Sequence, residues 1–258
     1  MAKNIHATTD NPTYRIITVE EPLSLAAESY RRIKTSLEFS NVDKQPQVIQ
    51  FCSSMQGEGK SVTVLNLAAT YAEDGRKVIV VDLDFRRPKL HRSFRIENKN
   101  GVTDVLAGNL KLDEAIKHGE NGIDCLNRGS SVPYPTAVLG SDNLAKVFAE
   151  LRKKYEYIIV DCPPILAVSD ATIIARLCDG CVFVISQSKT EKNAAKESVK
   201  ILRDNNVNIL GVVFGGITSK NSDSYSSKYK YYYQNYYGKD VNPKAINAAK
   251  PAKPEEDK

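Results

Sequence analysis

Turn-bounded apolar runs recur along the chain at Val48–Cys52, Val78–Val81, Tyr157–Val160, Val182–Ser186 and Leu210–Phe214. They are continuous and do not alternate with polar residues, which predicts strands covered on both faces, as in a parallel sheet. Segments with helical apolar spacing separate them, at Ser61–Asp74, Asn143–Lys154, Ala171–Leu177 and Thr190–Asn205. Strands alternating with helices predict an α/β fold: a doubly wound, mainly parallel sheet with helices on both faces and right-handed crossovers. One more helix is predicted ahead of the sheet, from about Ser24 to Phe39, with Pro22 fixing its start. Leu25, Ile33 and Leu37 share one face of it, and Glu28, Arg31 and Lys34 lie on another, which reads as a solvated surface on its own.

The ends read differently. Residues 1–20 are expected to form an extended lead-in and residues 21–218 the folded domain. Residues 219–238 are polar and rich in tyrosine, and 243–258 are rich in Lys, Pro, Ala and Glu. Neither stretch has the aliphatic surface to offset ordering entropy, so residues 219–258 are expected to be a disordered tail.

The first strand leads into Ser53-Ser54-Met55-Gln56-Gly57-Glu58-Gly59-Lys60-Ser61 and then a helix, the strand–loop–helix setting of a phosphate-binding loop. Gly57 and Gly59 let backbone amides turn inward around phosphate oxygens, and the helix N-terminus adds its positive end. Lys60 is expected to reach the β- and γ-phosphates of ATP, and the Ser61 hydroxyl to ligate Mg²⁺. The expected nucleotide-binding set is Gly57, Glu58, Gly59, Lys60, Ser61 and Val62, joined by Arg86, for which a structural salt bridge is an equal alternative to steadying developing charge. Ser54 stands where such loops have their first glycine.

Two further strands end in carboxylates, at Asp82-Leu83-Asp84-Phe85-Arg86 and at Asp161-Cys162-Pro163-Pro164. In a parallel sheet the ligand crevice lies at the carboxyl ends of the strands, where an acid stands beside a nucleotide's magnesium. A lone carboxylate there equally caps a following helix; two of them beside a phosphate loop favour the nucleotide. Asp82 and Asp161, with Ser61, are the expected metal ligands. A tyrosine acceptor, with a pKa near ~10, has to lose its proton as phosphorus is attacked. Asp82 is expected to take that proton and Asp84 to orient the acceptor or assist the metal, which makes Lys60, Asp82, Asp84 and Asp161 the expected catalytic group.

That acceptor is suggested by the tail, where Tyr225, Tyr229, Tyr231, Tyr232, Tyr233, Tyr236 and Tyr237 account for more than half of the 13 tyrosines. They stand among Ser, Lys, Asn and Gln, not among aliphatic residues. Phosphorylation would add up to about two negative charges to each. Aromatics among lysines also suit stacking on nucleic-acid bases, but the net charge of +5 is too dilute to argue for nucleic acid, and none is expected. Hydrophobic content of 41% is ordinary for a globular protein. The 5 cysteines, odd in number and mostly in apolar runs, suit a reducing compartment. Cys178 and Cys181 have C-x-x-C spacing, but no second pair follows at zinc-ligand distance. Met1–Asp10 is polar, and no run approaches the ~18 apolar residues of a membrane span, so a cytoplasmic protein is expected.

Taken together, these features resemble the bacterial tyrosine kinases that regulate capsule and exopolysaccharide synthesis. The resemblance runs from about Glu20 to Gly238 and rests on the Ser-Ser-x-x-Gly-Glu-Gly-Lys-Ser loop, the Asp82-x-Asp84-x-Arg86 and Asp161-x-Pro163-Pro164 motifs, and the tyrosine cluster. It implies autophosphorylation of that cluster in trans, within a ring-like homo-oligomer, an octamer in the family. Glu28, Arg31 and Lys34 match the family's Glu-x-x-Arg-x-x-Arg contact helix, with Lys for the last Arg. It further implies a transmembrane activator of polysaccharide co-polymerase type that recruits the kinase to the inner face of the membrane, and a cognate phosphotyrosine phosphatase. Gln56 replaces a usual proline, Tyr134 a usual asparagine, and Gly215 an asparagine that often reads adenine. The alternative is a partitioning or division-site ATPase switch, whose extra loop lysine would fall at Met55.

Overall fold

The computed structural model describes residues 14–40, 45–119 and 121–216. Its centre is a 7-stranded sheet in the order β3-β4-β2-β5-β1-β6-β7. The strands are β1 Val48–Ser53, β2 Val78–Asp82, β3 Lys117–His118, β4 Ile123–Leu126, β5 Tyr157–Asp161, β6 Gly180–Ser186 and β7 Ile209–Gly215. All neighbours run parallel except β3 against β4. The α/β expectation therefore holds, with an antiparallel edge added. β3 and β4 were not legible because they are short and the second carries Asp124 within it.

Alternate residues of the central strands feed two cores on opposite sheet faces. Val48, Cys52, Ile79, Val81, Ile158 and Val160 lie in one core, and Ile49, Phe51, Val78, Val80 and Ile159 in the other. Burial on both sides is why these runs show no alternation. β7 departs from the expectation. It forms the edge of the sheet, and Val212 and Phe214 remain 57% and 53% exposed, so continuous apolarity did not mean cover on both faces there.

The long helices span Leu25–Glu38, Lys60–Glu73, Asp142–Lys154 and Lys192–Asp204, each within two residues of its expected bounds. The segment expected as one helix from Ala171 is an α-helix, Asp170–Ile174, continued by a 3-10 turn, Ala175–Leu177. Ser24 starts the first long helix by accepting the Ala27 amide at 3.1 Å, so a side-chain cap fixes it. Leu37 and Ala27 are buried on that helix, while Leu25 is exposed, so its apolar face is shifted from the expected one.

The lead-in is not wholly extended. Ile17–Glu20 forms a helical turn docked on the Lys60–Glu73 helix, where the Thr18 amide donates to Asn66 Oδ1 at 3.1 Å and Ile16 joins the core. Tertiary contact stabilises a turn too short to persist alone. The expectations for residues 219–258 lie outside the described residues.

Candidate active site

β1 ends at Ser53, and the chain then turns tightly before the Lys60–Glu73 helix. Gly57 and Gly59 have φ of +85° and +97°, a region that L side chains occupy only with strain. The loop is tied to itself and to its neighbour. Glu58, buried, accepts the Met55 amide at 3.0 Å, and Thr63 donates its hydroxyl to Gly59 O at 2.9 Å. The Ile165 amide donates to Ser53 O at 2.9 Å and the Leu166 amide to Ser54 O at 3.2 Å. Val62 follows in the helix's first turn, so its amide belongs to the same positive end.

The tips of β1, β2 and β5 converge because these strands are consecutive in the sheet order β2-β5-β1. Asp82 and Asp161 are register partners. Lys60 Nζ lies 3.0 Å from Asp161 Oδ1, and Ser61 donates its hydroxyl to Asp161 Oδ2 at 2.5 Å. Burial opposes the charge on Lys60, but the Asp161 carboxylate beside it prevails and holds the ammonium above its ordinary range.

Asp82 is fully buried. Its Oδ2 accepts the amides of Lys89 and Leu90 at 3.0 and 3.1 Å, and its Oδ1 the amide of Asp84 at 3.2 Å. Burial, reinforced by the Asp161 charge, pushes its carboxyl up to about 7. Asp84 is only half-buried and accepts the Arg87 amide at 2.9 Å; burial raises its carboxyl as well.

The predicted residues Gly57, Glu58, Gly59, Lys60, Ser61, Asp82, Asp84 and Asp161 thus share one end of the sheet. Arg86 forms the structural salt bridge that was one of its two readings. Its Nε donates to Asp170 Oδ2 at 2.8 Å, and its Nη2 to Thr136 Oγ1 at 3.1 Å, so it anchors the loop to a fully buried carboxylate. Arg87, which no motif marked, donates instead to Gln56 of the phosphate loop at 2.5 Å. Asp170 and Arg87 carried no local signal, since their partners are 84 and 31 residues away.

Glu28, Arg31 and Lys34 lie elsewhere, by the far end of the Lys60–Glu73 helix. Arg31 pairs with Glu73 through two nitrogens, at 2.8 and 3.0 Å, and Lys34 pairs with Asp74. Glu28 lies 3.6 Å from Arg31. The face read as solvated is therefore largely engaged within the chain. Tyr134 is exposed, Gly215 ends β7, and Cys181 sits buried in β6.

The donors fit magnesium and a triphosphate. The Ser61 hydroxyl and the Asp161 and Asp82 carboxylates are hard oxygen donors, and two left-handed glycines before a helix N-terminus shape an anion cradle. Fold and site together define a P-loop nucleotide-binding protein. The family model described as an AAA domain matches residues 46–200. The tyrosine-protein kinase YwqD of Bacillus subtilis is 38% identical over 218 residues, covering 84% of this chain and 90% of that protein. The tyrosine-protein kinase etk of Escherichia coli is 32% identical over 214 residues, 81% of this chain but 29% of that longer protein. The E. coli ETK kinase domain superposes with a TM-score of 0.77 at 28% identity, covering 84% of this chain and 85% of that one. The chimerical protein CapA2B2 gives 0.77 at 29% identity, covering 79% and 90%. This chain belongs to the bacterial tyrosine-protein kinases. Among the described residues no helix is long and apolar enough to cross a membrane.

Proposed function

We infer that this kinase moves the γ-phosphate of ATP onto Tyr225, Tyr229, Tyr231, Tyr232, Tyr233, Tyr236 and Tyr237 of another copy of itself, and so regulates capsular or exopolysaccharide synthesis. The observation that carries the reading is the convergence of Lys60, Ser61, Asp82 and Asp161 at three adjacent strand tips. The loop amides and Lys60 hold the β- and γ-phosphates. Ser61, Asp161 and Asp82 would hold magnesium, which would neutralise charge on the triphosphate. Arg86 keeps the loop after β2, which bears Asp84, in place through Asp170.

In the transfer, the tyrosine oxygen forms a bond to the γ-phosphorus as the bond from that phosphorus to the β–γ bridging oxygen breaks, and ADP leaves. The tyrosine proton passes to Asp82, the carboxylate at the tip of β2. Asp84, less buried, orients the acceptor.

The helix bearing Glu28, Arg31 and Lys34 joins copies into a ring, so that one copy's tail reaches another's site. A membrane activator recruits the assembly to the inner face of the membrane, and a phosphatase resets it. A relative named for a cps region and a structural neighbour described as the chimerical protein CapA2B2 support this setting.

The test is phosphosite mapping after incubation with ATP and Mg²⁺, comparing the wild type with Lys60→Met, with and without a candidate activator. Phosphate on the tail tyrosines of the wild type alone is expected. Equal labelling of both chains overturns the assignment.

A further inference from the structure

The cations already placed at this end of the sheet are each held: Lys60 by Asp161, Arg86 by Asp170 and Arg87 by Gln56. One more arrives from a segment that no motif covers. Lys189 follows β6, and β6 pairs with β1 through to Ser53, so its loop leaves the sheet beside the phosphate loop.

That loop is a fastened turn. The Thr190 amide donates to Ser186 O at 2.9 Å, the Ser186 amide to Thr190 Oγ1 at 2.9 Å, and the Gln187 amide to Gly215 O at 2.9 Å. Out of it the Lys189 side chain extends toward Gly57, its Nζ 3.5 Å from where a Cβ on that glycine would stand. A residue with no side chain and a left-handed φ thus faces an ammonium carried by a fixed backbone.

The charge balance gives this cation a task. Asp82, Asp84 and Asp161 gather here, and a triphosphate adds further negative charge, of which the terminal phosphate is the part that ADP lacks. A compact ammonium on a long stem suits a point contact with phosphate.

We propose that Lys189 binds the terminal phosphate of the nucleotide in the phosphate loop, so that the loop after β6 distinguishes ATP from ADP. The proposal rests on the nucleotide site described above and adds a residue from outside its motifs.

Calorimetric titration of the full chain with Mg²⁺ and either ADP or a non-hydrolysable ATP analogue tests it, in the wild type, Lys189→Ala and Lys189→Arg. A lost charge-assisted contact is expected to weaken the analogue about tenfold in Lys189→Ala. ADP affinity is expected to change less than about twofold, and Lys189→Arg to recover most of the loss, with melting midpoints unchanged because the side chain is exposed. Unchanged analogue affinity, or an equal loss for both nucleotides, overturns the proposal while leaving the kinase reading intact. A wild type that binds neither nucleotide overturns the nucleotide site itself, and the proposal with it.

Discussion

Asp82 and Asp161 face one another as register partners across β2 and β5, at the point where the burial of one and the charge of the other keep a proton on Asp82 up to about pH 7. The folded carboxyl therefore titrates above its unfolded value of about 4. A folded chain that holds a proton the unfolded chain releases is stabilised below the unfolded value. It loses that contribution as pH rises through the folded one. The melting midpoint of nucleotide- and metal-free protein is expected to fall between pH 5 and pH 8, and Asp82→Asn to flatten the slope. Parallel curves for the two chains would assign the slope to other groups.

Arg86 is held by a carboxylate with no exposure, Asp170, and by Thr136. Arg86→Ala is expected to cost roughly 1–3 kcal/mol of stability by stranding Asp170, while ADP affinity stays within about twofold. Thermal melting and calorimetry separate the two effects. Lost affinity at an unchanged midpoint would restore the direct nucleotide contact suggested by the motif.

At Gly59 no atom lies within 4 Å of a built Cβ, yet φ is +97°. Gly59→Ala thus isolates backbone strain from crowding, and about 1–2 kcal/mol is expected against the loop conformation. Nucleotide binding should weaken by about tenfold or more, with little change in the nucleotide-free melting midpoint if the loop relaxes. Wild-type affinity in this variant would show that the left-handed turn is dispensable.

The pairing of Arg31 with Glu73 binds the helix Leu25–Glu38 to the end of the helix Lys60–Glu73. Glu73→Ala breaks that contact without touching Glu28, Arg31 or Lys34. It is expected to lower stability by about 0.5–1.5 kcal/mol and to leave self-association in place, whereas Arg31→Ala loses both. Melting curves and sedimentation of the same samples distinguish them. Equal association of the Arg31→Ala chain would remove that residue from the ring contact.

Local pattern was enough for much of this protein. Continuous apolar runs marked β1, β2, β5 and β6 because burial on both faces leaves no polar alternation, and Gly57-Glu58-Gly59-Lys60-Ser61 announced its cradle because left-handed turns and phosphate contact need those residue types in sequence. The carboxylates at strand ends followed from the same logic. Pairings across long separations were not encoded locally. Whether Arg86 met a phosphate or Asp170, whether Lys34 faced solvent or Asp74, and that Lys189 reaches Gly57 depended on how distant strands and helices were brought together. The outer face of β7 gave the same lesson, because an apolar run specifies a strand but only the sheet order decides which strand is left at the edge.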